Sequence, residues 1–264
     1  MLARGYVVVA TDYEGLGDPG VHPYLVGVSE AYAVLDSVRA ARELTAAHAT
    51  DRFAVWGHSQ GGHAALFTGQ LATGYAPELK LVGIAAGAPA TYLVDLFKAD
   101  RGTIGGNSLT AMALLSWSQV YRLPLDDVLA AAAIAPFELV ASSCIESVAE
   151  LLKLSQVEKP LQRVFLKADP TTLPAWREIM ERNTPGQAPP GAPVFITQGT
   201  SDVTVRPAIT LRFVKHLCAV GAPVVLTQLK GVSHSWIAEK SARQAVKWKT
   251  DRFAGRPAAS DCER

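Results

Sequence analysis

A serine lies between two glycines in the sequence Gly57-His58-Ser59-Gln60-Gly61, with an apolar, β-branched run before it and a helical pattern after it. Such a Gly-x-Ser-x-Gly set is typical of a nucleophile held at a sharp strand-to-helix turn, where the hydroxyl points out above the strand ends. We expect Ser59 to be this nucleophile, and Gly57 and Gly61 to let neighbouring backbone pass without Cβ clashes. A plain Gly/Ser turn that opens a helix is the alternative interpretation.

A serine hydroxyl is a poor nucleophile unless a base accepts its proton and a carboxylate holds that base in the right tautomer. Asp202 follows the apolar run Val194–Gln198, and His234 follows the run Val224–Leu229. The chain order serine, acid, histidine, with both partners after late strands, is one of the known orders of such a triad. We therefore predict Ser59, Asp202 and His234 as catalytic residues.

Other histidines and aspartates fit these roles less well. His58 and His63 lie too close to Ser59 along the chain to set a ring against its hydroxyl while a carboxylate supports the far side of that ring. The remaining candidates lie in loops or helical patterns away from the late strands: His22, His48, His216, Asp95 and Asp169.

The elements that would position these residues alternate between β-branched runs and amphipathic helical patterns. This alternation predicts an α/β fold with a mostly parallel sheet and flanking crossover helices. Five runs predict strands, namely Tyr6–Ala10, Arg52–Trp56, Leu79–Ala86, Val194–Gln198 and Val224–Leu229. Helical patterns cover Glu30–Leu44, Gly61–Ala72, Ala208–Cys218 and Ser235–Asp251.

A helical insertion interrupts this alternation, because β-branched runs cease between Tyr92 and Ala188. Its patterns predict helices at Ser108–Val120, Leu125–Ala133, Ile145–Leu154 and Pro174–Arg182. The Pro- and Gly-rich stretch 183–193 forbids regular structure and predicts a connector back to the sheet. We expect 1–91 and 189–264 to form the core and 92–188 to form the insertion.

Composition narrows the classes of function. The 264-residue chain has a formal net charge of +1 and no long basic run, which argues against a nucleic-acid-binding surface. No apolar run reaches the roughly 18 residues that a membrane span needs. Cys144, Cys218 and Cys262 can close at most one disulfide and match no zinc spacing, so neither a metal nor an organic cofactor is expected. The expected partner is a small molecule, and the oligomeric state stays open.

Several segments together resemble the secretory lipases, relatives of the fungal lipase A type within the α/β-hydrolase superfamily. They are Gly5–Gly17, Val34–Ala40, the serine motif with Gly62-His63-Ala64-Ala65, Tyr75-Ala76-Pro77-Glu78-Leu79, and Gln198-Gly199 before Asp202. The resemblance implies hydrolysis of acylglycerols or other acyl esters by Ser59, Asp202 and His234, without a cofactor. It also implies that residues 92–188 form a cap over the acyl chain. The large apolar side chains in this insertion need either a packing partner or a hydrophobic ligand, so the candidate lining residues are Leu114, Leu115, Trp117, Val120 and Leu123. Ordinary packing of the cap helices on each other is the alternative.

The start of the chain departs from the superfamily pattern. Tyr6–Ala10 resembles the fourth strand of the fold, so three strands are expected upstream, together with a secretion signal that the first residues do not show. One oxyanion donor is expected from the backbone N–H of Gln60, and the other normally comes from the loop after the third strand. We expect the chain to be N-terminally incomplete, or the second donor to be the N–H of Asp12 or Tyr13. A non-catalytic chain and an acyltransferase using the same triad are the alternative functions.

Overall fold

The computed structural model describes residues 1–17, 19–103, 105–145 and 148–262. In this part of the chain, four parallel strands form one sheet in the order β1-β2-β3-β4. They are β1 (Arg52–His58), β2 (Lys80–Gly87), β3 (Val194–Gly199) and β4 (Val224–Leu229). These bounds lie close to those predicted, and the parallel α/β class is confirmed.

Helices cover both faces of the sheet. On one face lie α1 (Gly27–Glu43) and α2 (Gln60–Tyr75), where Leu35 and Ala72 pack with Phe53 of β1. On the other face lies α10 (His234–Phe253), where Ala245 packs with Ala85 of β2 and Phe195 of β3. The remaining flanking helix, α9 (Pro207–Ala219), packs against β3 and β4. Successive residues of a strand point to opposite faces, so these buried strands are apolar on both.

The predicted strand at Tyr6–Ala10 is wrong. The segment pairs with no strand among the described residues, and Val7, Val8 and Val9 are 46%, 54% and 43% exposed. β-branched residues favour a strand, but a strand forms only where a neighbour accepts its backbone hydrogen bonds. Within the described chain, β1 pairs with β2 alone, and Tyr6–Ala10 forms no ladder with the other edge of β1.

By internal contacts the chain divides into two compact units, one of Met1–Tyr13, Gly27–Thr91 and Thr184–Arg264, the other of Glu14–Val26 and Tyr92–Asn183. Among its described residues the second unit contains no β-strand, and its one β-bridge joins Leu129 and Leu166. Its helices are α3 (Leu93–Asp100), α4 (Gly106–Tyr121), α5 (Ile134–Ala141), α6 (Val148–Val157), α7 (Lys159–Arg163) and α8 (Pro174–Arg182). The segment 14–26 therefore joins the inserted helices, and 184–188 joins the sheet. The cap at 92–188 stays a prediction.

One predicted helix of the insertion is wrong, and another begins later than expected. Leu125–Ala133 holds only short 3-10 turns at Leu125–Asp127 and Ala131–Ala133, because the backbone between them pairs with residues 165–167 instead of continuing as a helix. Ala130 N–H donates to the Phe165 carbonyl at 3.0 Å, and Lys167 N–H donates to the Val128 carbonyl at 2.9 Å. The helix predicted at Ile145–Leu154 is α6, and positions 146 and 147 of that prediction lie outside the described residues.

A disulfide joins the C-terminal segment to the sheet unit. Cys218 of α9 is bonded to Cys262, and Cys144 is free and exposed. Next to the disulfide, Asp261 N–H donates to the Val224 carbonyl at 2.8 Å, and its carboxylate accepts from Leu226 N–H at 2.9 Å. The segment thus covers backbone groups of β4 that no strand pairs with in the described chain.

Candidate active site

Ser59 lies at the turn between β1 and α2, in a backbone conformation that few side chains adopt. Its φ of 56° falls in the left-handed region, which costs a non-glycine residue roughly 1–3 kcal/mol. The turn is held by three backbone hydrogen bonds. Ser59 N–H donates to the Gly87 carbonyl at 2.9 Å, and the Ser59 carbonyl accepts from His63 N–H at 3.0 Å and Ala90 N–H at 3.3 Å. The end of β2 and the first turn of α2 therefore fix the strained serine.

The glycines around Ser59 differ in how much space a side chain would have at each position. A Cβ at Gly57 would lie 1.9 Å from the Gly61 carbonyl oxygen, so only glycine permits this close approach of strand and helix. A Cβ at Gly61 would meet no atom within 4 Å, so the expected need for glycine there is wrong. The second crowded glycine is Gly62, whose Cβ would lie 2.9 Å from the Cα of Pro89. Gly61 takes part in the contact with Gly57 only through its backbone carbonyl, and every residue has such a carbonyl.

The structure brings the three predicted site residues into one row of hydrogen bonds. His234 Nε2 lies 2.8 Å from Ser59 Oγ, and His234 Nδ1 lies 2.8 Å from Asp202 Oδ2. A carboxylate can only accept, so Nδ1 carries the proton and Nε2 is left to accept from the serine hydroxyl. This tautomer is the one a general base needs, because its free lone pair faces the nucleophile.

Asp202 is buried and fully occupied by donors. Its Oδ1 accepts from the backbone N–H groups of Thr204 at 2.9 Å and Val205 at 2.8 Å. Its Oδ2 accepts from Gln198 Nε2 at 3.2 Å in addition to His234. Gln198 is itself fixed, since Thr210 Oγ1 donates to its Oε1 at 2.6 Å. These hydrogen bonds fix the orientation of the carboxylate, and its bond to His234 fixes the orientation of the imidazole ring.

The loops that carry Asp202 and His234 are tied to each other. A Cβ at Gly199 would lie 2.2 Å from the Val232 carbonyl oxygen, so glycine lets the two loops touch. Ser201 N–H donates to the same carbonyl at 3.1 Å, and Thr200 N–H donates to the Leu229 carbonyl at 3.0 Å. His234 then begins α10 directly after this contact. The adjacent strand ends of β3 and β4 thus bring acid and base together.

His58 lies beside this row without joining it. Its ring centroid is 4.7 Å from that of His234, and its buried Nε2 has no hydrogen-bond partner among the described residues. Burial, and after it the neighbouring His234, lower the pKa of His58 from 6.5 to about 4. At neutral pH the His58 ring is therefore uncharged and places no positive charge next to His234.

The other candidates have different contacts. His63 Nδ1 donates to the buried carboxylate of Glu30 at 2.6 Å, and His216 Nε2 lies 2.9 Å from the Gly186 carbonyl oxygen. In the other unit, Asp169 pairs with Arg101 at 3.0 Å and caps the turn at Thr171. Sequence reasoning missed the role of Glu30, whose other oxygen accepts from Gln60 Nε2 at 2.9 Å. It also missed Gln198, although a glutamine that ends an apolar strand is a signal of a buried polar role.

The described residues offer neither a cluster of metal ligands nor a membrane-spanning helix. No group of three or more histidines, cysteines or acidic residues lies close enough together to hold a metal ion within the described ranges. Among the helices that the structure describes, none is long and apolar enough to cross a membrane.

Comparisons with known proteins agree on one family. The model of the secretory lipase family matches residues 1–261. Lipase A of Arthroderma benhamiae is 27% identical over 99% of this chain and 56% of its own length. A probable inactive lipase of Mycobacterium tuberculosis is 27% identical over 97% of this chain and 57% of its own length. The chain therefore spans a little more than half the length of the relatives it matches.

A solved structure shares the fold. Candida antarctica lipase A superposes with a TM-score of 0.71 at 20% identity, over 92% of this chain and 58% of that one. The predicted α/β-hydrolase fold, with its mostly parallel sheet and flanking helices, is thereby confirmed.

Proposed function

Because the chain belongs to the secretory lipase family, we propose that it is a serine carboxylic-ester hydrolase that cleaves acylglycerols or other acyl esters. The row of hydrogen bonds from Ser59 through His234 to Asp202 carries the proposal. His234 Nε2 lies 2.8 Å from Ser59 Oγ, which suits proton transfer, and His234 Nδ1 lies 2.8 Å from Asp202 Oδ2, which orients the ring. The substrate is a small acyl ester or lipid.

In the proposed reaction, Ser59 Oγ attacks the ester carbonyl carbon while its proton passes to His234 Nε2. The imidazolium that forms is stabilised by the Asp202 carboxylate, which stays ionised. The tetrahedral intermediate collapses when His234 gives the proton to the leaving alcohol oxygen, and an acyl-serine remains. Water then repeats the sequence, with His234 as its base, and releases the acid.

The negative charge on the carbonyl oxygen needs donors that are in place before the reaction. Gln60 follows the nucleophile and begins α2, so its backbone N–H is not used within the helix and is proposed as one donor. The positive end of the α2 dipole favours the same charge. The N–H groups of Asp12 and Tyr13 are the proposed place for a second donor.

We also propose that the protein works in an oxidising compartment outside the cytosol. The family is that of secretory lipases, and the Cys218–Cys262 disulfide is a bond that persists in oxidising environments. The disulfide also closes the segment that covers β4, so its reduction would free backbone groups there.

A non-catalytic chain is the rival, because one relative is named a probable inactive lipase. Hydrolysis of p-nitrophenyl butyrate by the folded protein and by Ser59→Ala separates the two. An active parent with a loss of several powers of ten in Ser59→Ala supports the proposal. Turnover in Ser59→Ala within tenfold of the parent contradicts it.

A further inference from the structure

We propose that Glu30 is a positioning residue for the oxyanion donor, acting through the side chain of Gln60. This inference rests on the proposed function, because it assigns Gln60 N–H to the oxyanion. It concerns a buried carboxylate on a different helix from the serine, 29 positions away in the chain.

Glu30 and His63 lie in the interior of the sheet unit beneath the serine turn. Glu30 is 1% exposed and His63 is 0% exposed. Each carboxylate oxygen has its own donor: Oε1 accepts from Gln60 Nε2 at 2.9 Å, and Oε2 accepts from His63 Nδ1 at 2.6 Å. One carboxylate on α1 therefore binds residues 60 and 63, the first and fourth positions of α2.

The packing of α1 on α2 sets where this carboxylate lies. A Cβ at Gly27 would lie 2.3 Å from the ring of Phe67, so the start of α1 approaches α2 as closely as only glycine allows. The His63 ring packs on the same Phe67 ring, with 4.8 Å between centroids. Glu30 is one turn further along α1 than Gly27. The helix contact thus places its carboxylate under the first turn of α2.

Burying a carboxylate is costly, and an apolar pair would hold two helices together at less cost. What an apolar pair cannot do is fix the side chain of the residue directly after the nucleophile. Gln60 is the first residue of α2, so its backbone N–H points out of the N-terminal end of the helix, and Ser59 next to it is in a strained conformation. A hydrogen bond from the Gln60 side chain to Glu30 restrains both the direction of that N–H and the turn before it.

The expected effect is large for a residue that touches no substrate. Displacing a catalytic donor by about 1 Å costs on the order of 10²-fold in rate, and losing the donor costs 10²- to 10³-fold. We expect Glu30→Ala and Gln60→Met to lower kcat by about tenfold to a hundredfold with KM nearly unchanged, since the bound ester gains little from the oxyanion donor before charge develops.

The experiment compares turnover of p-nitrophenyl butyrate with inhibition by butylboronic acid, which forms a tetrahedral adduct on a nucleophilic serine. In Glu30→Ala and Gln60→Met, the inhibition constant should rise by the same factor by which kcat falls. Glu30→Gln keeps an acceptor oxygen for Gln60 and should recover most of both. Gln60→Met keeps the backbone N–H and the buried Glu30–His63 pair, so it tests the proposal even if Glu30→Ala does not fold.

Leu35→Ala is the matched control, because Leu35 lies on α1, is fully buried and packs against Ala72, which is 12 positions after Gln60 on α2. It should lower the melting temperature and leave kcat and the boronate constant unchanged. Parent-like kcat and inhibition in Gln60→Met overturn the inference while the parent stays active, and so does an equal loss of kcat in Leu35→Ala. A folded parent without ester turnover overturns the proposed function and this inference with it.

Discussion

Replacing Gly57 with alanine is expected to remove nearly all ester hydrolysis, whereas the same change at Gly61 leaves it intact. The new Cβ at position 57 would lie 1.9 Å from the carbonyl oxygen and 2.1 Å from the carbonyl carbon of Gly61. Both atoms are backbone, so no side chain can rotate away. Reaching an ordinary contact of 3.4 Å requires β1 and the first turn of α2 to separate by about 1.5 Å.

This separation acts on the nucleophile and its neighbours at once. Ser59 and the N–H of Gln60 lie between the two clashing residues, so they move with the turn, and a misplacement of about 1 Å costs on the order of 10²-fold in rate. Overpacking adds roughly 1–3 kcal/mol of lost stability. At Gly61 an added methyl group meets no atom within 4 Å and lies in a helix, where alanine is favoured over glycine by about 1 kcal/mol.

Turnover of p-nitrophenyl acetate, an ester with a short acyl group, is the assay, with thermal unfolding alongside. Gly57→Ala should lose at least 10²-fold in kcat/KM, while Gly61→Ala should stay within threefold of the parent and unfold about 2–4 °C higher. Parent-like turnover in Gly57→Ala, or a loss in Gly61→Ala as large as that in Gly57→Ala, would refute the role assigned to Gly57.

Three further predictions concern the remaining site and the helical unit. His234→Ala should lower turnover by about 10⁶-fold and Asp202→Asn by about 10⁴-fold in steady-state assays, and unchanged turnover in Asp202→Asn would place the acid elsewhere. Burial lowers the pKa of His58 from 6.5 to about 4. Between pH 4 and pH 6.5 the unfolded chain therefore binds a proton at His58 that the folded chain does not. The free energy of unfolding falls by up to about 3 kcal/mol as the pH drops from 6.5 to 4. Urea unfolding of His58→Leu should show a flatter acid limb, and an unchanged limb would contradict this. Trp117 is fully buried against Phe97, so Trp117→Ala should cost about 3–5 kcal/mol in urea unfolding, whereas the half-buried Leu115→Ala should mainly change the ratio of long- to short-acyl turnover. A flat ratio would remove Leu115 from the acyl site.

The arrangement of Ser59, Asp202 and His234 was predictable because each follows a strand of one parallel sheet. The carboxyl ends of parallel strands meet at one edge, so residues far apart in the chain come together there. The short apolar runs at β1 to β4 were enough to place all three. Their catalytic roles stay a proposal until tested by reaction.

The predictions that were wrong, and the contact that was missed, depend on tertiary packing that the sequence alone does not show. The run Tyr6–Ala10 has strand-forming residues but no ladder partner among the described residues. The open space at Gly61 is a property of packing, which the spacing of glycines does not report. Likewise, the link from Glu30 to Gln60 exists only because α1 docks on α2. Local preference predicted the elements, and tertiary contact decided these details.

Labelling by a fluorophosphonate probe tests the central claim most directly, because the probe reacts only with a serine whose proton a base can accept. The folded protein should be labelled at Ser59, as located by peptide mass spectrometry. Ser59→Ala should abolish the label and His234→Ala should slow it by several powers of ten. Folded protein that takes up no label, or label on a residue other than Ser59, would contradict the account.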